Sequence, residues 1–339
     1  MQRLRLGILS AANIARKSLI PGAVAAEHVD VVAIASTSDK GAKFLAETDL
    51  HTRDGQPLSE VVRLFDSYEE LLADNDIDAV YIGLPNHLHM EWSIKAADAG
   101  KHVLCEKPAA LNAEETNTII RHCNTRSVVW MEAFMYRFHP QYEVVRSWLQ
   151  NGAIGKVKTI RSSFTFVMQD PGNTRWVQDY GGGSLYDVGC YCVNVSQWLF
   201  GRGPRAVSGM MVETPAGVDE DFLGMMDYGD GQTALFHSSF GQAGSGQVEI
   251  FGTNGSIVIP VAFVPGTEAA TLILRTNGTE ERVVVPACNQ YQVQVEAFAG
   301  YVFTGTRPEV MSHADTLTNM RTIDALFQAA REQRTVWLQ

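Results

Sequence analysis

Cysteine is scarce and scattered, with five residues at Cys105, Cys123, Cys190, Cys192 and Cys288. An odd, dispersed set does not make a disulfide scaffold and fits reduced thiols in a cytoplasmic protein. Cys190 and Cys192 form the one close pair, and no further Cys or His stands near them at zinc spacing. No metal site is therefore expected. Long apolar runs are missing as well. No stretch of about 18 apolar residues occurs, so no membrane-spanning helix is expected. Met1-Gln-Arg-Leu-Arg-Leu6 leads straight into a strand-like segment without an apolar leader. Basic residues are outnumbered: 27 Lys and Arg against 38 Asp and Glu leave a net charge of −11. A nucleic-acid binder normally shows a basic stripe, so neither nucleic acid nor membrane is an expected partner. Small anionic ligands are not excluded, because they need only local positive charge.

What is present is a chain of 339 residues, 45% hydrophobic and 19% charged. That apolar content excludes a disordered chain. The length exceeds the roughly 250–300 residues that one core usually serves, so two domains are expected. Strand-like runs at Arg5–Leu9, Val29–Ala35, Ala79–Gly83 and His102–Cys105 are interleaved with helix-like stretches. The helical stretches cover Asn13–Ala26, Lys40–Thr48, Glu69–Leu72, Leu88–Ala99 and Ala113–Asn124, with Gly100 closing the fourth. This βαβ alternation predicts a parallel sheet with helices on both faces.

From about residue 155 the texture changes. Val157–Met168 alternates, with Ile160, Phe164, Phe166 and Met168 on one face. Further strand-like runs lie near 205–213, 220–228, 231–240, 246–252, 256–259, 270–275 and 281–286, and Asp230-Gly231 signals a hairpin turn. The prediction is a mostly antiparallel sheet with one inserted helix near 187–200. A final amphipathic helix covers Ser312–Arg331, with Leu317, Met320, Ile323, Phe327 and Ala330 in one stripe. The expected domains are residues 1–125 and 126–339, with the final helix packing back toward the first. An open sheet with an apolar outer face must be covered, which makes that face the expected surface of a homodimer or homotetramer.

Three segments point to chemistry. Gly7-Ile-Leu-Ser10-Ala11-Ala12-Asn13-Ile14-Ala15 stands between the first strand and the first helix, where a dinucleotide-binding turn belongs. Small residues there let the backbone approach a pyrophosphate at a helix N-terminus, and Ser10, Ala12 and Ala15 take the places of the usual glycines. An ordinary small-residue turn has the same appearance. At the end of the second strand, Ala35-Ser36-Thr37-Ser38-Asp39-Lys40 offers hydroxyls and a lysine where NAD-binding folds place a carboxylate. Ser36, Thr37 and Lys40 suit a 2′-phosphate, and Asp39 is ambiguous between that region and helix capping. Gly83-Leu84-Pro85-Asn86-His87-Leu88-His89 and Cys105-Glu106-Lys107-Pro108 lie at the carboxyl ends of predicted parallel strands, where open α/β sheets bind ligands. A neighbouring acid and desolvation can orient the Lys107 ammonium toward a reacting oxygen, although a surface ion pair uses the same residues.

Glu106-Lys107-Pro108, the Leu84–His89 segment and Gly181-Gly-Gly183 with Asp187 and Tyr191 resemble the Gfo/Idh/MocA oxidoreductase family over essentially the whole chain. The run Glu132-Ala-Phe-Met-Tyr136-Arg137-Phe-His139-Pro140 is similar to the branch that holds dimeric dihydrodiol dehydrogenase, NADP-dependent D-xylose dehydrogenase and glucose–fructose oxidoreductase. The resemblance implies an α/β Rossmann domain plus an α+β domain with an open, predominantly antiparallel sheet. It implies NADP as cofactor, with NAD the alternative, since Thr37 stands where NADP-using members often show Arg. Ser10, Ala12, Asn13, Ile14, Ser36, Thr37, Lys40, Leu84, Pro85, Asn86, His89, Glu106, Lys107 and Arg137 are the implied cofactor residues. Tyr191 is implied as the acid/base and Lys107 as its electrostatic helper; a phenol near pKa 10 is a poor base unless a cation favours the phenolate. Asp187, four residues before Tyr191 and on the same face if the segment is helical, is the third implied catalytic residue, orienting Lys107 or binding a substrate hydroxyl. Arg175 and Trp176 join Lys107, Asp187 and Tyr191 as substrate contacts, Trp176 being equally suited to core packing. The implied substrate is a sugar, polyol or cyclic diol. An NAD-dependent glycosidase of the same fold and a non-catalytic cofactor-sensing regulator stay open as alternatives.

Overall fold

The computed structural model describes residues 2–37, 40–52 and 54–338. They form two compact units. The first is built on a six-stranded parallel sheet: β1 (Leu4–Leu9), β2 (Val29–Ala35), β3 (Arg63–Phe65), β4 (Ala79–Ile82), β5 (His102–Cys105) and β6 (Trp130–Glu132). The spatial order is β3-β2-β1-β4-β5-β6, and every pair is parallel. All four residues of β4 are buried, as expected of a strand covered on both faces. Successive strands run outward from β1 to β3 on one side and from β4 to β6 on the other. The order therefore reverses between β1 and β4, and ligands bind open α/β sheets at the carboxyl ends of the strands that flank such a reversal.

The strands and helices expected from the periodicity are present at their places, but two long helices, Gln141–Gln150 and Gln290–Thr304, are unexpected. β3 and β6 are new, because three residues are too few to show a period. The stretch Asn13–Ala26 is not one regular helix: a π-helical turn, Ala15–Leu19, precedes an α-helix, Ile20–Ala25. Pro21 has no N–H to donate back to the preceding turn, which accounts for the break in the α pattern. The unit is also discontinuous in sequence. It comprises Met1–Ala110, Glu114–Phe138 and Asn289–His313, so a cut at residue 125 falls before β6 and omits the helix Gln290–Thr304. The last helix, His313–Glu332, is counted almost wholly with the second unit.

The second unit holds a nine-stranded sheet: β7 (Val157–Val167), β8 (Ala206–Glu213), β9 (Asp219–Gly229), β10 (Gln232–Ser239), β11 (Gly241–Gly252), β12 (Gly255–Ile259), β13 (Ala270–Thr276), β14 (Thr279–Val285) and β15 (Val336–Trp337). The order is β14-β13-β12-β11-β7-β10-β9-β8-β15, and among the described strands only β7 and β10 pair in parallel. Asp230 and Gly231 turn the β9–β10 hairpin with φ of 53° and 70°, the two left-handed conformations of a type I′ turn. One face of the sheet packs on helices. Phe222 of β9 is fully buried, with Phe236 of β10 and Phe327 of the last helix each 5.9 Å from it. The opposite face leaves Met210, Val212, Leu223, Met225 and Leu235 exposed. Cross-strand register sets Met210 beside Leu223, and Met225 beside Leu235. Among the described residues no helix is long and apolar enough to cross a membrane.

Truncating Phe222 to Ala empties the centre of the sheet–helix interface. It is expected to cost about 3–5 kcal/mol, read as a lower urea midpoint with an unchanged slope.

Candidate active site

In the first unit the expected residues gather at the carboxyl ends of β1, β4 and β5. β1 runs into Ser10, whose φ of 120° is a conformation that glycine adopts freely and serine adopts only under constraint. Its hydroxyl supplies the constraint by donating to Gly83 O (2.9 Å) and accepting from the Ala12 N–H (3.2 Å). Ser10 thus ties the end of β1 to the end of β4 at the sheet's reversal. Asn13 is exposed, and Ala12 and Ile14 are half-buried. The first amides of the helical segment that follows have no acceptor within it, which fits a bound pyrophosphate. Ser36 is buried, its N–H donating to Phe65 O (3.1 Å), whereas Thr37 and Lys40 are exposed. Ser38 and Asp39 lie outside the described residues.

The Glu106-Lys107-Pro108 turn is fastened from several sides. The Glu106 N–H donates to Ile82 O (2.9 Å), and the Glu106 carboxylate accepts the Tyr81 hydroxyl (2.6 Å). Burial first, and the Glu106 charge second, hold the Tyr81 phenol well above its ordinary pKa, so it stays a donor. On the far side of the turn, the Ala109 N–H donates to the fully buried Glu132 carboxylate (2.9 Å). The Lys107–Pro108 peptide is cis, and Lys107 is half-buried.

His89 is fully buried and does not face solvent. Its Nδ1 lies 2.8 Å from Pro108 O and its Nε2 lies 2.8 Å from Leu84 O. The ring therefore joins the Leu84–Asn86 turn to the Lys107 turn. Two carbonyl partners favour a doubly protonated ring, but burial, with the charges of Lys107 and His87, prevails and pushes its pKa down to about 4. Pro85 and Asn86 are half-buried beside this tie. Arg137 is buried and donates to Val310 O (2.7 Å).

The second unit brings Arg175, Trp176, Asp187 and Tyr191 onto two adjoining pieces of backbone. A short turn, Thr174–Trp176, is capped by Asn173, whose Oδ1 accepts the Arg175 N–H (3.1 Å). Arg175 Nε donates to Asp187 Oδ2 (2.6 Å). The glycine run is packed against that turn: Gly183 N–H donates to Arg175 O (3.0 Å) and Gly182 N–H to Val177 O (3.0 Å). A Cβ on Gly182 would stand 2.4 Å from Arg175 O. Gly183 has φ of 108°, and a Cβ there would stand 2.1 Å from Asp219 Oδ1. Both positions exclude a side chain. The run leads into a π-helical turn, Leu185–Gly189, and then the α-helix Cys190–Phe200. Asp187 lies on the first piece and Tyr191 on the second. Tyr191 is nearly buried, its ring 5.3 Å from Phe164 and 5.5 Å from Phe263. Trp176 is half-buried, edge-on to Phe240 at 5.3 Å, with its indole N–H donating to Asp170 O (3.2 Å).

Three contributors went unassigned in the sequence reading: Tyr81, Glu132 and Asp219. Tyr81 and Glu132 each put a polar group into an apolar strand, which is the signal of a buried partner. Asp219 sits in an acidic stretch, Asp219-Glu220-Asp221, and gives no such signal. Among the described residues no group of three or more His, Cys, Asp or Glu is placed to hold a metal ion.

A parallel sheet in this strand order, with a small-residue turn at its reversal, is a dinucleotide-binding fold. The model of the oxidoreductase family with an NAD-binding Rossmann fold matches residues 4–134, and that of the GFO/IDH/MocA C-terminal domain matches residues 142–258. The chain is 38% identical to a D-xylose 1-dehydrogenase (NADP(+)) of Haloferax volcanii, over 99% of this chain and 100% of that protein. It is 35% identical to a trans-1,2-dihydrobenzene-1,2-diol dehydrogenase of Xenopus laevis, over 77% of this chain and 74% of that protein. Among solved structures it resembles KijD10, a 3-ketoreductase from Actinomadura kijaniata in complex with NADP and TDP-benzene. That match has a TM-score of 0.89 and 28% identity over 97% of this chain and 98% of the other. The reductase has also been solved with one tyrosine replaced by phenylalanine and with one lysine replaced by alanine. The chain belongs to the Gfo/Idh/MocA oxidoreductase family and is an enzyme of that family's dehydrogenase and reductase kind.

His89 makes a pH-dependent contribution of definite sign. Its folded pKa of about 4 lies below the ordinary 6.5, so the unfolded chain binds the extra proton in between and stability rises with pH through that window. Urea unfolding at pH 5 and pH 7 is expected to show a smaller difference for His89→Gln than for wild type.

Proposed function

We propose that this enzyme oxidises a secondary or anomeric hydroxyl of a sugar, polyol or cyclic diol, reversibly and with NADP as cofactor. The observation that carries the reading is the Lys107 turn, fixed by buried partners at the carboxyl end of β5 in a chain related over its whole length to a sugar dehydrogenase. When bound, the cofactor supplies the acceptor for hydride. The backbone of Ser10, Ala12, Asn13 and Ile14 would hold its pyrophosphate. Ser36, Thr37 and Lys40 would hold the 2′-phosphate, and Leu84, Pro85, Asn86, Glu106 and Arg137 would line the remainder.

The chain's own chemistry then falls to two side chains. The Tyr191 hydroxyl takes the proton of the substrate hydroxyl, and the Lys107 ammonium stabilises the negative charge that develops on the same oxygen. Asp187, held by Arg175, offers an acceptor to a neighbouring substrate hydroxyl, and Trp176 offers a ring face to a sugar or aryl ring. The relatives named for xylose and for a dihydrodiol support both substrate classes. Five free thiols fit a cytoplasmic setting.

Lys107→Met and Tyr191→Phe are each expected to lower turnover by about 10²–10⁴ while NADPH still binds, as followed by fluorescence titration. Near-wild-type turnover in either variant overturns the assignment. A panel of pentoses, hexoses and trans-dihydrodiols with NADP+ and NAD+ identifies the substrate class, and a clear preference for NAD+ overturns the role of Ser36, Thr37 and Lys40. Cleavage of an aryl glycoside without net cofactor change points instead to the glycosidase alternative.

The exposed apolar rows on β8, β9 and β10 support a homodimer or homotetramer formed through the open face of the nine-stranded sheet. Leu223→Glu combined with Met225→Glu is expected to shift the sedimenting species toward monomer, with the far-ultraviolet circular dichroism unchanged.

A further inference from the structure

One buried carboxylate in the second unit is used by none of the roles above. Asp219 opens β9 and is 2% exposed. Its Oδ2 accepts the Ser184 hydroxyl (2.7 Å) and the Leu185 N–H (2.7 Å). These two residues begin the helical segment that carries Asp187 and Tyr191. The Ser184 hydroxyl is also 3.1 Å from Ser238 Oγ and 3.2 Å from Ser238 O, so the junction involves β10 as well as β9. Asp219 Oδ1 meets no donor and lies where only a glycine at 183 leaves room. The first amides of a helix lack partners within it and favour a negative charge nearby. An exposed cap meets that need cheaply; here a carboxylate is kept inside the protein, where burying a charge costs stability.

We propose that Asp219 is a positioning residue for Tyr191, fixing through Ser184 and Leu185 where the helix begins and hence where the tyrosine hydroxyl stands. The proposal rests on the assignment of Tyr191 as the acid/base. Burial pushes the Asp219 carboxyl up to about 7. The charged groups on the surrounding elements are Glu213 opposite it on β8, Glu220 and Asp221 beside it on β9, His237 of β10 bound to Asp221 at 3.1 Å, and Asp187 bound to Arg175.

The test compares Asp219→Ala, Asp219→Asn and Ser184→Ala with wild type. Asp219→Ala is expected to lower kcat about 30-fold or more, with the KM for NADP+ within about twofold. It is expected to speed amide exchange over residues 184–192 about tenfold. Asp219→Asn, whose side-chain carbonyl accepts both bonds, is expected to recover most of the lost turnover and protection. It is also expected to lose a slope present in wild type. Folded Asp219 keeps its proton to a higher pH than the unfolded carboxyl near 3.8, so its own contribution to stability falls as pH rises between 3.8 and about 7, opposite in sign to that of His89. Unchanged kcat and exchange in Asp219→Ala overturn the proposal, as does an Asn variant no better than the Ala variant. If Asp219→Ala does not fold, Ser184→Ala takes its place: faster exchange with lower kcat supports the proposal, and no change in both overturns it. Exchange is read without turnover, so a full response there together with an active Tyr191→Phe overturns the role of Tyr191 and leaves the Asp219 anchor standing.

Discussion

The imidazole of His89 is the tie on which the ligand edge of the first unit depends. With both ring nitrogens 2.8 Å from a carbonyl, it couples the turn after β4 to the turn after β5. Neither turn has a regular ladder to hold it, since both lie past the ends of their strands. Ser10 makes the corresponding link from β1 to β4. Three strand ends are thereby joined through side chains at the sheet's reversal, where backbone pairing stops. The lysine that emerges there is placed by Glu106, Glu132 and His89 through the backbone around it, so its ammonium is presented by a turn whose own polar groups are held.

The second unit solves the same problem differently. Its chemistry-bearing residues sit on a helix rather than at strand ends, so the placement to be fixed is that of a helix start. Glycines 182 and 183 bring the chain close against Arg175 O and the Asp219 carboxylate, and an N-terminal π-helical turn follows. Arg175 spans the two pieces by donating to Asp187. π-helical turns concentrate at functional sites because they realign the side chains that follow them. Both units have one next to the residues assigned to function, at Ala15–Leu19 and at Leu185–Gly189.

Much of this was readable from the residues in order. Long strands such as Val29–Ala35 are buried, β-branched and bounded by polar residues, and the hairpin at Asp230-Gly231 needs two left-handed residues that few other pairs supply. The Glu106–Pro108 segment stood out by its place at a strand end, and Gly181–Gly183 by its resemblance to the family's motif. What stayed hidden is relational. β3 and β6 are too short to carry a period, and their place is set by the neighbours they pair with. Glu132 and Asp219 act on residues far from them in sequence, Ala109 and Ser184, and nothing in a linear reading joins those partners. The His89 imidazole, expected at the cofactor, is turned inward, between two carbonyls that come together only once two strands lie side by side.

The first unit draws on three separate stretches, the last of them Asn289–His313. During synthesis the ribosome makes the sheet strands β1 to β6 within the first 132 residues, but the helix Gln290–Thr304 that completes the unit emerges much later. Domains generally fold as units and in the order of synthesis, yet this one has to wait until nearly the whole second unit has been made. A nascent chain therefore carries an unfinished dinucleotide fold with part of its apolar surface uncovered throughout the translation of the nine-stranded sheet.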